Sequence, residues 1–174
     1  TTHPLLIKSL ADWLYRAKAA QVIIADSPGG LYTPVALRGI YQTCGMQQAA
    51  EQSGAVLNFD VGYQTVAAKD ACICREFNLI HPVVQADLIL SVGKLKTHCM
   101  TGLSGGVKNL FGCIPGLQKP QMHYRFQNTG DFCSMLVDLA QTVAPVLTII
   151  DAVDAMEGNG PSGGTVRHTG CLIA

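Results

Sequence analysis

The sequence predicts a layered α/β fold in which a mostly parallel central sheet is flanked by helices. Short apolar segments of strand length alternate with longer segments whose apolar residues recur at helical spacing. Glycine, proline, serine and aspartate follow several of the apolar segments and predict turns there. We expect a single α/β domain over residues 1–174, and the abrupt ends suggest a segment of a longer protein.

The first third of the chain predicts two helical regions and two strands. Residues 3–18 carry apolar side chains at helical spacing, and a buried strand follows at 21–26. A second helical region covers 34–52, where Gly45 favours a division into two short helices. Residues 55–59 predict another strand.

The rest of the chain predicts a hairpin, two further buried strands and an amphipathic helix. Residues 60–80 are compatible with a small hairpin, and residues 87–92 form a continuous apolar run. An amphipathic helix is predicted over 132–143 with Asp131 near its start, and a buried strand follows at 146–151. A glycine-rich loop then leads to a last strand.

Composition and charge exclude several classes of protein. Apolar residues make up 48% of the chain and charged residues 14%, which is typical of a folded globular protein. The formal net charge is zero and no long basic stripe occurs, so we predict no nucleic-acid partner. No apolar run reaches the length of a membrane span and no signal-peptide pattern begins the sequence. We therefore predict a cytoplasmic protein without a membrane partner.

The cysteines predict a reduced, intracellular setting. There are seven of them, an odd number, and none forms a C-x-x-C pair or a ferredoxin-type run. We expect most of these thiols to be small buried side chains.

Three loops that follow predicted strands carry polar residues. They are the turn at Asp26 and Ser27, the segment 94–116, and the loop after Asp151 that contains Glu157. If the strands are parallel, these loops lie at one edge of the sheet and together line a cleft. The plainer alternative is that aspartate and glycine after a strand only form turns.

The segment 94–116 has the composition of an anion-binding site. Its glycines precede a short helical pattern, so backbone N–H groups at the helix start would face an anion, with Lys96 and Lys108 adding positive charge. It is not a Walker loop, because Val107 replaces a glycine and Asn109 replaces the metal-binding hydroxyl. The predicted anion- or cofactor-binding residues are Lys96, Thr101, Gly102, Gly105, Gly106, Asn109, Asp26, Ser27 and Glu157.

Two residues of this segment are predicted to be catalytic. His98 lies among lysines and glycines rather than on an apolar helix face, and histidine acts as a general base near neutral pH. Lys108 is the second candidate. His123 is a candidate metal ligand, although a lone histidine is often an ordinary polar residue.

Several stretches together resemble the family called domain of unknown function 362. They are KLKTH at 94–98, TG at 101–102, GVKNLFG at 106–112, IPG at 114–116, DSPG at 26–29 and MEGNGP at 156–161. The resemblance covers essentially the whole chain. It implies a redox setting, since family members are often fused to, or encoded as, iron–sulfur proteins with a ferredoxin-type module. Clustered cysteines are absent here, so any 4Fe–4S cluster is expected outside residues 1–174.

A shorter stretch is similar to lactate racemase and its relatives. His98 precedes Lys108 by ten residues, and Lys108 lies in a Gly-Gly-Val-Lys run that a Pro-Gly pair follows. The resemblance implies that the lysine carries a nickel-pincer nucleotide, that His98 is the catalytic base and that His123 ligates nickel. The match covers about thirty residues.

Three functions remain open from the sequence. The first is an enzyme or cofactor-binding domain that holds a small anionic ligand, in which His98, Lys108, Asp26 and Glu157 meet in one pocket. The second is a redox accessory module that docks a ferredoxin-type partner without doing chemistry. The third is a structural or interaction domain whose glycines only shape turns.

Overall fold

The computed structural model describes all residues from 1 to 174 and contains seven α-helices and eight strands. The helices are α1 (Pro4–Arg16), α2 (Pro34–Thr43), α3 (Met46–Ser53), α4 (His81–Gln85), α5 (Gly106–Asn109), α6 (Lys119–Arg125) and α7 (Thr129–Val143), with 3-10 turns at Leu110–Cys113 and Gly116–Gln118. The strands are β1 (Ile23–Ile24), β2 (Val56–Leu57), β3 (Tyr63–Ala67), β4 (Glu76–Ile80), β5 (Leu90–His98), β6 (Gly102–Ser104), β7 (Leu147–Glu157) and β8 (Thr165–Ile173).

The prediction of a mostly parallel central sheet is wrong, because the largest sheet is mixed. Its order is β6-β5-β7-β8, and only β5 and β7 run parallel. β6 returns antiparallel to β5 across residues 99–101, and β8 returns antiparallel to β7 across residues 158–164. A strand that returns directly from its neighbour through a short turn must be antiparallel to it. β1 and β2 form a separate parallel pair of two residues each.

The two parallel strands are longer than the apolar pattern predicts. They were expected to end at residues 92 and 151, but they continue to His98 and Glu157. The extension of β5 is largely polar, and in it Lys96 lies opposite Ser104 of β6. The extension of β7 mixes apolar residues with Asp154 and Glu157. The segment 94–98 is therefore strand rather than loop.

Other predicted elements are confirmed with small changes of boundary. β3 and β4 form the expected hairpin, with Tyr63 opposite Ile80. The helical region at 34–52 is divided at Gly45, whose φ of 76° is the left-handed conformation that glycine adopts without strain. The N-terminal and 132–143 helices correspond to α1 and α7. β1 and β2 are shorter than the strands predicted at 21–26 and 55–59.

The core consists of two hydrophobic clusters. The larger joins the apolar face of α7 to β4 and to the 3-10 turn, and Phe132, Met135 and Leu139 are fully enclosed within it. The smaller is built on α2 and α3 around Leu37 and Tyr41. None of the helices is both long and apolar enough to span a bilayer.

The expectation of mostly buried thiols is wrong. All seven cysteines are free, and only Cys74 and Cys113 are buried. The exposed thiols lie on turns and on β8, the outermost strand, where no second layer covers them.

A close backbone contact brings the turn at residues 26–30 against the segment 94–116. A Cβ atom added to Gly116 would lie 2.5 Å from the carbonyl oxygens of both Pro28 and Gly30. On the other side of the segment, a Cβ atom on Gly160 would overlap the carbonyl oxygen of Thr97. The loops expected to converge therefore do meet 94–116, although β1 belongs to a separate sheet.

Asp138 fastens α7 to the loop between β3 and β4. Its side chain is buried and accepts hydrogen bonds from the backbone N–H groups of Cys72, Ile73 and Cys74 at 2.8, 2.9 and 2.8 Å. Burial alone would raise the pKa of Asp138, but these three hydrogen bonds lower it below the ordinary value. The carboxylate therefore stabilises the fold in its ionised form.

We expect Asp138→Ala to lower the free energy of unfolding by about 3 kcal/mol at pH 7, because it leaves buried N–H groups without acceptors. Urea unfolding followed by circular dichroism measures the loss. A folded-state pKa below the unfolded value means that the stabilisation is complete above the unfolded pKa of about 3.9 and disappears as pH falls through the folded one. Gln141→Ala, on the exposed side of the same helix, should change stability by less than about 0.5 kcal/mol. Equal effects of the two variants would contradict the role of Asp138.

Two glycine-to-alanine variants should change stability in opposite directions. Gly39→Ala lies inside α2 with no atom within 4 Å of the new Cβ, so it should stabilise by about 0.5–1 kcal/mol. Gly116→Ala meets backbone oxygens that have no side-chain freedom to move aside, so it should destabilise by about 1–3 kcal/mol. Urea midpoints compare the two, and a shift of the same sign in both would argue against the close contact at Gly116.

Candidate functional site

Lys94, the first lysine of the motif, has a structural role. Its Nζ lies 3.0 Å from Oδ2 of Asp151, which is 1% exposed. Asp151 also accepts a hydrogen bond from the backbone N–H of His3 at 2.9 Å. Burial opposes the ionised carboxylate, but the hydrogen bonds from His3 and Lys94 outweigh it and lower the pKa of Asp151. Asp151 thus connects β5, β7 and the residue before α1. The ammonium group of Lys94 is already paired with this carboxylate.

Lys108 and Lys119 both approach one aromatic ring. Their Nζ atoms lie 4.7 and 5.7 Å from the ring centroid of Phe111, and that of Lys108 lies 5.9 Å from the ring of Phe132. Burial lowers the pKa of Lys108 to about 8, with the charges of Lys119 and Lys96 adding to the effect. Neither Lys108 nor Lys119 forms an ion pair with a carboxylate within 4 Å.

The two predicted histidines lie in the same electrostatic environment. Burial lowers the pKa of His98, and the positive charges of Lys108, His123 and Lys96 lower it further. His123 stacks on Phe132 with ring centroids 4.4 Å apart and planes 13° apart. Burial and then the charge of Lys108 lower the pKa of His123 as well. Both imidazoles are therefore held toward their neutral form at pH 7.

Asp26 and Ser27 are brought to this group by the turn at 26–30. A Cβ atom on Gly112 would lie 2.5 Å from Oδ1 of Asp26, and the backbone N–H of Ser27 donates to the carbonyl oxygen of Gly112 at 2.9 Å. The ammonium group of Lys119 donates to the carbonyl oxygen of Ser27. Ser27 is fully buried, and its hydroxyl oxygen has no hydrogen-bond partner.

Asp26 is exposed as a residue, although its carboxyl group is surrounded by protein atoms. Part of its surface is exposed, yet burial among the surrounding atoms raises its pKa against the opposing charges of Lys119 and Lys96. Solvent contact on the open side limits the size of this rise. Asp26 is thus a single carboxyl group facing several cations.

We call this group of side chains the cationic cluster. It consists of Lys96, His98, Lys108, Lys119 and His123. Three of its members are lysines without an ion-pair partner, and the two histidines feel their charge. The structure therefore brings together His98, Lys108, His123 and Lys96 from the sequence prediction, with Asp26 and Ser27 beside them.

Glu157 and Asn109 make other contacts. Glu157 approaches Arg167 on β8, with Oε1 and Nη1 3.9 Å apart at an exposed position. Asn109 donates from its amide group to the hydroxyl of Ser91 at 3.0 Å and so links α5 to β5. Glu157 is therefore next to Arg167, and its part in the predicted pocket stays a prediction; Asn109 has a structural partner.

The glycines and Thr101 shape the chain around the cluster. Gly102 has a φ of 71° at the turn between β5 and β6, where the hydroxyl of Thr101 donates to the carbonyl oxygen of Leu103 at 3.1 Å. A Cβ atom on Gly106 would lie 2.6 Å from the methyl group of Thr148, and one on Gly105 would touch Ile150. The following helix α5 has only four residues, so little macrodipole is available there. Binding of an anion by this backbone stays a prediction.

Sequence reasoning missed Lys119, Phe111 and Phe132 as parts of this arrangement. The two phenylalanines have the spacing of ordinary core residues, and Lys119 follows a Pro-Gly turn with no motif of its own. Their importance depends on packing between α7, the 3-10 turn and α6, which no local pattern reveals.

No metal-binding group is formed by the side chains of this chain alone. Nowhere do three or more His, Cys, Asp or Glu residues gather closely enough to hold a metal ion. A separate surface depression of about 600 Å³ lies on α2 and α3 and includes Arg38, Tyr41 and Phe59. It contains none of the predicted site residues.

Comparisons with known proteins agree with the motifs at the site. A thylakoid-associated protein of Synechocystis sp. is 39% identical over 108 residues, which make up 62% of this chain. The matched stretch covers 34% of the length of that relative. The family model described as "Domain of unknown function (DUF362)" matches residues 1–174, and the chain therefore belongs to the DUF362 family.

Proposed function

We propose that this domain binds a small anionic ligand, such as a phosphate or a carboxylate, through the cationic cluster. The observation that carries the proposal is the gathering of Lys96, Lys108 and Lys119 without ion-pair partners beside two histidines of lowered pKa. Like charges held together at partly buried positions raise the free energy of the folded state. An anion bound among them would reverse that repulsion.

The neighbouring turn supplies further polar groups for such a ligand. Ser27 has a buried hydroxyl without a partner, and an unsatisfied buried hydroxyl costs about 1–3 kcal/mol. Asp26 opposes an anion if it is ionised, but burial favours its protonated form, which donates a hydrogen bond. The ligand contacts in this proposal come from side chains rather than from the backbone of a helix start.

A second candidate is a racemase-like enzyme, because His98, Lys108 and His123 share one electrostatic environment. In this reading Lys108 would carry a cofactor and His98 would move a proton. The residues fit a nickel site poorly, since His123 stacks on Phe132 and no group of three ligands surrounds it. Intact-mass and nickel analysis of the purified domain tests this candidate: an adduct on Lys108 supports it, and an unmodified chain without nickel counts against it.

The remaining functional expectations stay predictions. A 4Fe–4S cluster outside residues 1–174, a ferredoxin-type partner and a cytoplasmic location follow from the family resemblance and the composition alone. Reading the sequence of the full gene tests the first, because clustered cysteines beyond this segment would be required.

We expect inorganic phosphate to bind the domain and Lys108→Gln to weaken that binding about tenfold or more, since a charged hydrogen bond contributes about 1.5–3 kcal/mol. Titration calorimetry at low ionic strength measures the dissociation constant. Lys69→Gln is the matched control, because Lys69 is an exposed lysine that has no part in the cluster. If both variants weaken binding equally, phosphate responds to net charge and the proposed site is wrong.

Phosphate should also raise the pKa of His98. The lysine charges and burial lower this pKa in the free protein, and a bound anion offsets the charges. The imidazolium form should consequently persist to higher pH when phosphate is present. The C2–H resonance of His98, followed by NMR from pH 4 to 8, measures the change, with the exposed His168 as an internal reference. A shift of His168 alone would place phosphate elsewhere.

A further inference from the structure

Lys108 has no polar partner for its amine, which distinguishes it from Lys94, Lys8 and Lys119. Lys94 is paired with Asp151 at 3.0 Å, and Lys8 with Asp12 at 2.6 Å. Lys119 donates to the carbonyl oxygen of Ser27. The Nζ atom of Lys108, by contrast, makes no ion pair or side-chain hydrogen bond and lies against aromatic rings.

The surroundings of this amine disfavour its charged form. The side chain is half-buried, and the positive charges of Lys119 and Lys96 act on it. Because the resulting pKa is about 8, a larger fraction of the Lys108 amine is neutral at pH 7 than in an ordinary lysine, whose pKa is about 10.4. A desolvated lysine beside another cation is a known arrangement for an amine nucleophile.

We infer that Lys108 is a nucleophilic amine that forms an imine with a small anionic aldehyde or 2-oxo acid. This inference rests on the proposed function, because Lys96 and Lys119 hold the anionic end of the ligand. The lone pair of Nζ forms a bond to the carbonyl carbon, and the carbonyl oxygen takes up a proton. The resulting carbinolamine then loses its hydroxyl group as water while the carbon–nitrogen double bond forms. No oxidant or reductant is consumed.

The histidines of the cluster are suited to the proton transfers of this reaction. The addition releases a proton from the amine, and the loss of water requires one at the hydroxyl group. Burial and then the charge of the nearby Lys108 lower the pKa of His98, so a neutral imidazole is available to accept the first proton and return it.

Reductive trapping tests the inference. The intact domain is incubated at pH 7 with glyoxylate and sodium cyanoborohydride, and the modified lysines are identified by peptide mass spectrometry. We expect Lys108 to be labelled at least tenfold faster than the exposed Lys69 and Lys18, and faster by glyoxylate than by neutral acetaldehyde. Lys108→Arg should lose the fast-labelled site and keep the slow background.

The outcomes separate this inference from the proposed function. Phosphate added to the same reaction should slow labelling of Lys108 but not of Lys69. Phosphate binding without preferential labelling of Lys108 would overturn the imine inference and leave anion binding standing. Another outcome is fast labelling of Lys108 by glyoxylate and acetaldehyde alike, with no effect of phosphate. That result would contradict both the anion site and the anionic substrate. Uniform labelling of all exposed lysines would overturn the inference regardless of how Lys108→Arg folds.

Discussion

The turn at 26–30, which follows β1, lies against Gly112 and Gly116, which follow β6. This contact connects the β1–β2 pair to the segment that leads out of the four-stranded sheet. No strand pairing links β1 to the four-stranded sheet, so the position of β1 near that sheet depends on contacts of this kind. The missing Cβ atoms at both glycines allow backbone and carboxyl oxygens to lie where a side chain would otherwise be. This contact places Asp26 near Lys119 and Lys96, whose charges lower its pKa against the effect of burial.

The cationic cluster is held together by the same core that stabilises the fold. Phe132 is fully buried on α7 and contacts Phe111 at a ring distance of 5.5 Å, and Lys108 lies over both rings. Each cation over an aromatic face gains about 0.5–2 kcal/mol, which partly offsets the repulsion between the lysines. Asp138 anchors the same helix, so the hairpin β3–β4, α7 and the cluster form one connected set of contacts.

The sequence predicts elements well where local patterns decide them. The hairpin, the break at Gly45 and α7 follow from turn residues and from apolar periodicity. It fails for the ends of β5 and β7, because lysines in one and acidic residues in the other interrupt the apolar runs, and only pairing with β6 and β8 shows that both segments are strand. Nor does any local pattern separate Lys94, which pairs with a distant aspartate, from Lys108, which pairs with none.

The glycines of the motif have a different meaning in the structure than in the sequence. In the sequence they predicted backbone N–H groups that bind an anion. In the structure Gly106, Gly112 and Gly116 allow close packing against neighbouring atoms that a Cβ atom would meet. We therefore expect side chains rather than backbone N–H groups to contact the ligand. Unlike backbone amides, these side chains change their charge with pH. The proposed roles of the lysines therefore differ. Lys96 and Lys119 would bind the anionic group of the ligand as ammonium ions, whereas Lys108 would react only as the neutral amine. Burial lowers the pKa of Lys119, and Asp26 opposes that lowering only in its ionised form.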